Sequence, residues 1–488
     1  MAKLTINPMT RIEGHVGVYV TVENGKVVDS KVAGEMFRGF EIFLKNRHPF
    51  DAVRITQRVC GVCHEVHGMA SILANEDLYK LKPTENGMLI RDVILGLHMV
   101  WDHILHFYTL SLADWVDFAV VLKYNGKDKF INDTKEWVAK KSPVLLTEKP
   151  KGKYITEPEI GLNMVVNYLK AMRLFPRMGS GIAVLGAKVP FVHSTLPGGA
   201  TSILSIDRLA KVADVASIME EFVYSNYIPD AMNLSKYFKE YFDIGFSYPN
   251  LFSHKSFYAT GTPLFNDKVM INWKEENYNF SNIREELAHS FYKGPDEGYE
   301  FKKSKTVPAP DKSGAYSWIK SPRYNGHPME VGPLGRMYLA RDKDFFNALK
   351  ELNVPERKAI STMGRILARA YEAKRLIDYV NRIVFKIDPS KPTINEADIS
   401  KPITGEGLGR SVAARGELIH YIVAENGKIK NYQMIMPTTW NFGPRDSKGQ
   451  MSPVEKALIG TPIANPPQLL EAGRTVRSYD PCTACSIH

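Results

Sequence analysis

The stretch that organises this sequence is its last nine residues, Asp480-Pro-Cys-Thr-Ala-Cys-Ser-Ile-His488. It contains Cys482 and Cys485 in a Cys-x-x-Cys spacing, and the remaining two of the four cysteines, Cys60 and Cys63, repeat that spacing near the opposite end. Two thiolates three positions apart can bind one metal ion, because the intervening pair forms a turn that brings both sulfurs to the same side. The sequence therefore predicts a four-sulfur site for a soft or borderline metal, which includes zinc, an iron–sulfur cluster and nickel.

Disulfide bonds and a structural zinc site are the alternative interpretations of these cysteines. Paired Cys-x-x-Cys motifs in a large chain favour metal or catalytic use over disulfides. Zinc ribbons separate their two dyads by roughly 15–20 residues, whereas Cys63 and Cys482 lie 419 positions apart. A site that gathers ligands from both ends of the chain is expected to be buried and to depend on the complete fold, which a zinc staple does not require.

Composition is that of a globular protein with a substantial core, because 44% of the 488 residues are hydrophobic and 24% are charged. The net charge of +10 is attributed to a lysine-rich solvated exterior, since no basic run interleaved with aromatics indicates nucleic-acid binding. The most apolar long stretch, 96–122, carries several ionisable residues and is therefore expected to be a buried or amphipathic helix, not a membrane span.

Both cysteine motifs, with their flanking residues, resemble the two signature motifs of the large, catalytic subunit of nickel–iron hydrogenases. The first is Arg58-Val-Cys-Gly-Val-Cys-His-Glu-Val-His67 and the second is the C-terminal stretch quoted above. Further matching stretches run from residue 11 onward: Arg11-Ile-Glu-Gly-His15, Phe37-Arg-Gly-Phe-Glu41, Pro197-Gly-Gly199, His327-Pro-Met-Glu-Val-Gly-Pro333 and Pro437-Thr-Thr-Trp-Asn441. The resemblance implies an oxidoreductase that splits H2, most like the membrane-bound uptake type.

The expected fold class is α+β and predominantly helical, with a long central helix bundle and small β-sheet or hairpin regions in the N-terminal and C-terminal parts. Asn24-Gly25 and Asn426-Gly427, each between alternating apolar residues, predict two tight hairpins. Helical periodicity resumes after the first dyad at Met69. Further helices are predicted over Arg91–Asp117, Ser205–Tyr224 with an end marked by Pro229, Pro355–Phe385, and a short one around Ser452–Ile459.

These elements are expected to form a single intertwined domain over residues 1–488. Its regions are an N-terminal β region (1–35), the first dyad with long helices (36–122), a lysine-rich surface excursion (123–160), a helical region (161–244), an irregular or β-containing insertion (245–330), a second helical region (331–405) and a C-terminal β hairpin with the second dyad (406–488).

The resemblance implies a nickel ion held by all four thiolates. Cys60 and Cys482 match the terminal ligands, and Cys63 and Cys485 match the ligands that bridge to an iron. In the family that iron also carries one carbon monoxide and two cyanide ligands. His67 matches a residue that hydrogen-bonds a bridging thiolate, and Arg415 and Thr438 match positions that approach the cyanides.

Other matching positions concern protons and a second metal. Glu13 matches a proton-transfer residue, and Asp102 matches an aspartate beside Arg415. The first proton acceptor is left open between the Cys482 thiolate and the Arg415 side chain. A magnesium ion is implied on the Glu41 carboxylate, the backbone carbonyl of Met434 and His488.

Because one site uses all four cysteines, electrons are expected to leave through another subunit. The resemblance implies a small iron–sulfur cluster subunit in a heterodimer or dimer of heterodimers, and a membrane cytochrome or quinone-linked subunit as a further partner. Export with the small subunit to the extracytoplasmic face of a membrane is expected, with a cytoplasmic location as the alternative. A hydrogen-sensing hydrogenase and a zinc-stapled structural protein are the alternative functions.

Overall fold

The structure, a computed structural model, describes residues 1–141, 149–466 and 468–487. Within these ranges helices dominate and small antiparallel sheets supply the rest, which confirms the predicted fold class. The helices are α1 Phe40–Phe43, α2 Asp51–Thr56, α3 His64–Tyr79, α4 Glu85–Leu105, α5 Lys129–Lys141, α6 Asn163–Gly186, α7 Ile206–Phe222, α8 Ile228–Tyr237, α9 Pro333–Leu339, α10 Lys343–Glu351, α11 Thr362–Ile383, α12 Pro437–Phe442, α13 Pro453–Leu458, α14 Leu470–Ser478 and α15 Thr483–Ser486. The strands are β1 Ala2–Ile6, β2 Val16–Glu23, β3 Lys26–Gly34, β4 Thr195–Leu196, β5 Gly199–Ala200, β6 Leu251–Ser253, β7 Lys268–Ile271, β8 Lys274–Glu276, β9 Ile283–Glu286, β10 Tyr299–Glu300, β11 Ser321–Tyr324, β12 Gly405–Ala413, β13 Gly416–Glu425 and β14 Lys428–Ile435.

Both predicted hairpins are confirmed, and each belongs to a three-stranded antiparallel sheet. The first sheet has the order β1-β2-β3 and the second has the order β12-β13-β14. Asn24 and Gly25 turn between β2 and β3 with φ of 50° and 73°, and Asn426 and Gly427 turn between β13 and β14 with φ of 50° and 75°. Positive φ at both central residues is the geometry that matches the twist of the flanking strands, which explains why Asn-Gly occurs in both turns.

The C-terminal sheet packs directly on α3, the helix that follows the first cysteine dyad. Gly407 and Gly409 of β12 face the helix backbone so closely that a Cβ atom would lie 2.0 Å from the carbonyl oxygen of Ala74 and 1.9 Å from that of Ala70, respectively. Only glycine permits such a close approach of strand and helix. The helix begins at His64 and not at Met69 as predicted, so its first turn starts immediately after Cys63.

Helices α4 and α11 form the centre of the bundle, and both differ from the predicted bounds. The helix predicted over Arg91–Asp117 begins earlier, at Glu85, and after Leu105 it widens into a π-helical turn over His106–Ser111 and a 3-10 turn over Leu112–Asp114. Helix α11 begins at Thr362, where Ser361 caps it by accepting a hydrogen bond from Gly364 N–H. The residues after Pro355 form a separate 3-10 turn.

The prediction that Pro229 ends the preceding helix was wrong. After α7 the chain makes a π-helical turn over Val223–Tyr227 and continues into α8, which has Pro229 in its first turn. Proline is tolerated there because its missing N–H and fixed φ cost least in a first turn. The two π turns meet in the core, where the rings of Phe107 and Tyr227 lie 5.0 Å apart.

The remaining regions contain short helices, turns and strands. The excursion over 123–160 contains α5 and a short π turn, and its residues 142–148 lie outside the described ranges. The insertion over 245–330 contains β6 to β11 in two small sheets. Among the described residues, none of the helices combines the length and apolar character needed to cross a membrane.

A buried ionic network ties α9 and α11 to the C-terminal sheet. The Arg336 guanidinium donates from Nε and Nη2 to Glu372, at 2.5 and 2.8 Å, and from Nη1 to Glu417 at 3.2 Å. Nη2 also donates to the carbonyl of Ala413 at 3.0 Å. Burial raises the pKa of Glu417 to about 7, although Arg336 opposes this shift. The cation therefore compensates two carboxylates that have no access to water.

We expect Arg336→Met to lower the free energy of unfolding by about 3–5 kcal/mol, because it leaves two buried carboxylates without their cation. Arg341→Met is the matched control, since Arg341 pairs with Glu356 on the surface and such pairs contribute at most about 1 kcal/mol. Urea unfolding of both variants measures the difference. Equal shifts in the two variants would contradict a stabilising role of the network.

Candidate metal centre

The four cysteines meet in one buried cluster, although they come from opposite ends of the chain. All four Sγ atoms lie within 4.8 Å of one another, and none of them is part of a disulfide bond. The distance from Sγ of Cys60 to Sγ of Cys482 is 3.3 Å, and that from Cys63 to Cys485 is 3.1 Å. The structure thus brings the two dyads together as thiols and contains no disulfide among the described residues.

The charge of this cluster fits a thiophilic cation. Burial raises the pKa of Cys485 well above its usual range. Burial also acts on Cys60, but hydrogen bonds from the neighbouring thiols outweigh it and lower the pKa of Cys60 well below its usual range. A soft or borderline metal ion stabilises all four thiolates, which is the state in which cysteines bind metals.

The first dyad spans the junction between a 3-10 turn and α3. Cys60 follows the turn over Gln57–Val59, and Cys63 is the N-cap of α3. The backbone N–H groups of Val62 and Cys63 donate to Sγ of Cys60 at 3.3 and 3.4 Å. The ring Nε2 of His98 lies 2.8 Å from the carbonyl oxygen of Val62, which fixes the loop between the two cysteines.

The second dyad lies at the start of α15, and two segments hold it. The backbone N–H of Cys482 donates to the hydroxyl oxygen of Thr438 in α12 at 2.9 Å. The N–H of Thr483 donates to the carbonyl of Glu13 at 2.8 Å. Gly14 has φ of 85°, and a Cβ atom there would lie 2.3 Å from the backbone nitrogen of Ala484. The N-terminal segment therefore lies directly against the C-terminal cysteines.

Glu13 is half-buried beside this junction. Burial raises the pKa of its carboxyl group, and the charge of Cys60 adds to the rise, while Arg415 and Arg38 oppose it. A glutamate with a raised pKa retains a proton nearer to neutral pH than an exposed one. Its position next to Cys482 and its raised pKa are both suited to accepting and releasing protons.

Arg415 is fully buried between two carboxylates, in the turn that joins β12 and β13. Its Nη1 donates to Asp102 at 3.3 Å, and its Nη2 lies 3.2 Å from Oδ1 of Asp480, outside hydrogen-bond geometry. Among the described residues, Nε and Nη2 of Arg415 have no hydrogen-bond acceptor. Burial raises the pKa of Asp102 to about 8, although Arg415 opposes this. The guanidinium thus presents unused donors beside the sulfur cluster.

His67 lies on α3 with its Nε2 3.4 Å from Sγ of Cys485. Its Nδ1 lies 3.5 Å from Nε2 of His420, whose Nδ1 is 2.8 Å from the hydroxyl of Tyr432. A row of side chains therefore leads from the sulfur cluster to the C-terminal sheet. The sequence predicted a role for His67 but not for His420 or Tyr432. Both of these lie in strands, and the alternation of a strand does not show which residue faces a helix that is distant in the chain.

Glu41 is completely buried in α1. Its Oε1 accepts from the backbone N–H of Met434 at 2.7 Å, and its Oε2 accepts from the Lys320 ammonium at 3.1 Å and from the Thr306 hydroxyl. Burial lowers the pKa of Lys320, but Glu285 and Glu41 outweigh this and raise it. The Lys320 ammonium is within 3.5 Å of oxygen atoms of Glu41, Glu285, Thr306 and Gln433.

Of the residues at this oxygen-rich cluster, the sequence predicted only Glu41 and Met434. Lys320, Thr306, Glu285 and Gln433 are separated along the chain, and a lysine or threonine in an irregular insertion carries no distinguishing pattern. Hard carboxylate oxygens such as those of Glu41 suit magnesium, and in this structure the cation that these oxygens surround is the Lys320 ammonium. The predicted ligand His488 lies outside the described residues.

Comparison with known proteins agrees with this geometry. The sequence model of the family described as nickel-dependent hydrogenase matches residues 38–150 and 147–488, and one described as HoxL-like matches residues 3–33. The chain is 36% identical to the periplasmic [NiFeSe] hydrogenase large subunit of Desulfomicrobium baculatum, covering 100% of this chain and 95% of that protein. It is 31% identical to the uptake hydrogenase large subunit of Bradyrhizobium diazoefficiens, covering 100% and 95%.

Solved structures show the same fold at full length. The Ni-Fe-Se hydrogenase from Desulfovibrio vulgaris Hildenborough in the reduced state superimposes with a TM-score of 0.90 at 33% identity, and the match covers 100% of both chains. Family, relatives and fold coincide with the four-thiol cluster built from both ends of the chain. This chain therefore belongs to the nickel-dependent hydrogenase family, as the catalytic large subunit of a nickel–iron hydrogenase.

Proposed function

We propose that the chain catalyses reversible heterolytic cleavage of H2 to protons and electrons, running in the uptake direction, at a nickel–iron centre held by Cys60, Cys63, Cys482 and Cys485. The observation that carries this proposal is the convergence of four buried thiols within 4.8 Å of one another, beside the buried Arg415 guanidinium. The uptake direction is supported by the name of the Bradyrhizobium relative.

The four thiolates would hold this centre, with Cys60 and Cys482 as terminal ligands of nickel and Cys63 and Cys485 shared with an iron that would carry one carbon monoxide and two cyanides. When bound, this centre supplies the binding and two-electron oxidation of H2. Unused donors on Arg415, and the hydroxyl proton of Thr438 that remains after its oxygen accepts from Cys482 N–H, support cyanide acceptors beside them. Two relatives named above carry selenium in their names, whereas this sequence has four cysteines and no selenocysteine, so the proposed ligands are sulfur only.

Proton movement is proposed to run from the Cys482 sulfur to the Glu13 carboxylate. The raised pKa of Glu13 and its backbone contact with the Cys482 segment support this relay. Arg415 is the weaker candidate for the base, because Asp480 and Asp102 outweigh burial and raise its pKa well above its usual range. We therefore propose that Asp102 orients the Arg415 guanidinium, and that this guanidinium supplies a fixed positive charge beside the centre.

Magnesium is proposed on the Glu41 carboxylate, with the Met434 carbonyl and His488 as further ligands. Its support is the buried Glu41 carboxylate beside the backbone of Met434, a ligand of the type that magnesium prefers. The proposed magnesium site shares no ligand with the four-sulfur site. Replacing Glu41 therefore alters the magnesium site and leaves all four sulfur ligands in place.

The proposed electron acceptor is a small iron–sulfur subunit, in a heterodimer or dimer of heterodimers. Because all four cysteines belong to one site, electrons leave through a partner. Arg58 and Gly61 of the first motif are exposed, and Met36 and Phe43 are 51% and 43% exposed. Exposed apolar and cationic side chains of this kind suit a docking surface for an electron carrier.

We place the complex at the extracytoplasmic face of a membrane, exported with the small subunit and linked there to a cytochrome or quinone-reactive subunit. The support is the word periplasmic in the name of the Desulfomicrobium relative. The four-sulfur site itself is independent of this location.

The experiment is H2-dependent reduction of benzyl viologen by the anaerobically purified complex with its small subunit. Sustained turnover, with H2 evolution from reduced viologen in the reverse assay, supports the proposed enzyme. A nickel-loaded complex with very slow turnover favours a hydrogen sensor. A complex without nickel and without turnover contradicts both.

A further inference from the structure

Arg38 lies in a short connection between β3 and α1, close to both cysteine dyads. Its backbone N–H donates to the carbonyl of Ile487 at 2.9 Å, which anchors the connection to the C-terminal segment. The preceding Phe37 stacks on Trp318 with ring centroids 4.9 Å apart, and the following Gly39 has φ of 74°. These contacts fix the backbone from which the Arg38 side chain extends.

The Arg38 guanidinium joins the two dyads. Its Nη1 donates to the carbonyl of Val59, the residue directly before Cys60, and to the carbonyl of Ala484 at 3.1 Å, the residue directly before Cys485. Its Nη2 donates to the carbonyl of Arg58 at 3.1 Å. One planar cation therefore bonds both backbone segments at the positions that lead into cysteines.

The acceptors explain why an arginine is needed. The carbonyls of Arg58 and Val59 end a 3-10 turn, where helical carbonyls lack partners within the turn. The carbonyl of Ala484 belongs to the other dyad, more than 400 positions along the chain. A guanidinium presents several N–H donors in one plane and can satisfy such a set together, whereas the three N–H donors of a lysine ammonium all radiate from one nitrogen atom.

We propose that Arg38 is a positioning residue that fixes the spacing between the two cysteine dyads and thereby the geometry of the four-sulfur site. This inference rests on the proposed function, since its consequence is the retention of nickel. Arg38 does not contact the sulfurs and acts through the backbone of both dyads. If it only capped the 3-10 turn, its loss would affect folding stability and leave the nickel environment unchanged.

The test compares Arg38→Ala and Arg38→Lys with Arg47→Ala in the complex with the small subunit. Arg47 is the matched control, because it is an exposed arginine just after α1 whose Nε donates to the carbonyl of Phe43 in the same helix. Nickel per chain, the rate of nickel loss to a chelator and the electron paramagnetic resonance spectrum of nickel are measured. Millimolar guanidinium chloride is added to Arg38→Ala as a rescue.

We expect nickel loss from Arg38→Ala to be about tenfold faster or more than from the wild type, since charged hydrogen bonds to both segments are removed. The nickel g-values shift in Arg38→Ala and in Arg38→Lys, guanidinium slows the loss from Arg38→Ala, and Arg47→Ala matches the wild type. Wild-type loss rates and spectra in both Arg38 variants would overturn the inference. If Arg38→Ala does not assemble with the small subunit, the nickel spectrum of Arg38→Lys is the test. An unshifted spectrum in that variant overturns the positioning role of Arg38. If the wild-type complex itself contains no nickel, that result contradicts the proposed function and not the role of Arg38.

Discussion

Cys482→Ser is expected to lose nickel and hydrogen turnover together. Serine offers a harder oxygen with a much higher pKa than a thiol, and a thiolate is the ligand that this metal class prefers. Removing one of four ligands is expected to weaken metal binding by more than the 10–100-fold of an outer contact, so nickel per chain falls to about a tenth of the wild-type value or less. Metal analysis and viologen reduction on the same purified complex measure both effects.

The control for Cys482→Ser is Ser486→Ala, which removes a hydroxyl from the same C-terminal turn. In the described part of the chain that hydroxyl has no hydrogen-bond partner, so its removal tests only for general disturbance of the segment. We expect Ser486→Ala to keep its nickel. Full nickel content in Cys482→Ser would refute the assignment of Cys482 as a ligand.

Glu13→Gln is expected to keep nickel and lose turnover. Glutamine has nearly the same shape as glutamate but cannot accept and release a proton, and loss of a positioned acid–base group costs about 10²–10⁴-fold in rate. The backbone of Glu13, which bonds the Cys482 segment, is unchanged by this substitution. The measurement is viologen reduction per nickel, which separates catalysis from metal content.

Glu35→Gln is the matched control for Glu13→Gln, because Glu35 is an exposed glutamate just after β3 that bonds Tyr19 and Asn7. Its substitution is expected to leave turnover per nickel within about twofold, as for surface changes generally. If Glu13→Gln retained wild-type turnover, protons would have to leave the metal centre through a group other than Glu13. Loss of nickel in Glu13→Gln would instead assign Glu13 a structural role.

The metal centre depends on both ends of the chain at once. The C-terminal segment from Cys482 to Ile487 lies between the N-terminal segment at Glu13 and the connection at Arg38, each of which bonds its backbone. The two dyads come together only when α3, the C-terminal sheet and the N-terminal sheet have packed. The site is thus a product of the complete fold and not of a local loop.

The sequence predicted the parts of the site whose chemistry is explicit in residue type and spacing. Two Cys-x-x-Cys motifs are rare enough to indicate a shared site, and Asn-Gly between alternating apolar residues indicates a hairpin wherever it occurs. The sequence accordingly predicted both hairpins and one shared site for the four cysteines, which the structure brings together. Arg38 was read as part of a motif, but nothing in the sequence indicated which carbonyls it bonds.

The sequence did not predict features that depend on tertiary packing. The partners of Glu41, such as Lys320 and Thr306, are distant in the chain, so no periodicity relates them. A π turn inserts one extra residue into a helix and shifts its apolar face, but the residues at His106–Ser111 are mostly apolar or aromatic and buried, so no break in the pattern was visible and the segment was read as continuous helix. Pro229 was taken as a terminator because a proline in a first turn looks the same in sequence as one beyond a last turn.

The most direct test of the account is the nickel and zinc content of the wild-type large subunit, purified anaerobically with its small subunit. We expect about one nickel per chain and no stoichiometric zinc, because four buried thiols beside an arginine with unused donors are assigned to a redox-active nickel. About one zinc per chain without nickel would contradict it. The two dyads would then be a structural staple, and the roles proposed for Glu13, Arg415 and Arg38 would fall with the metal.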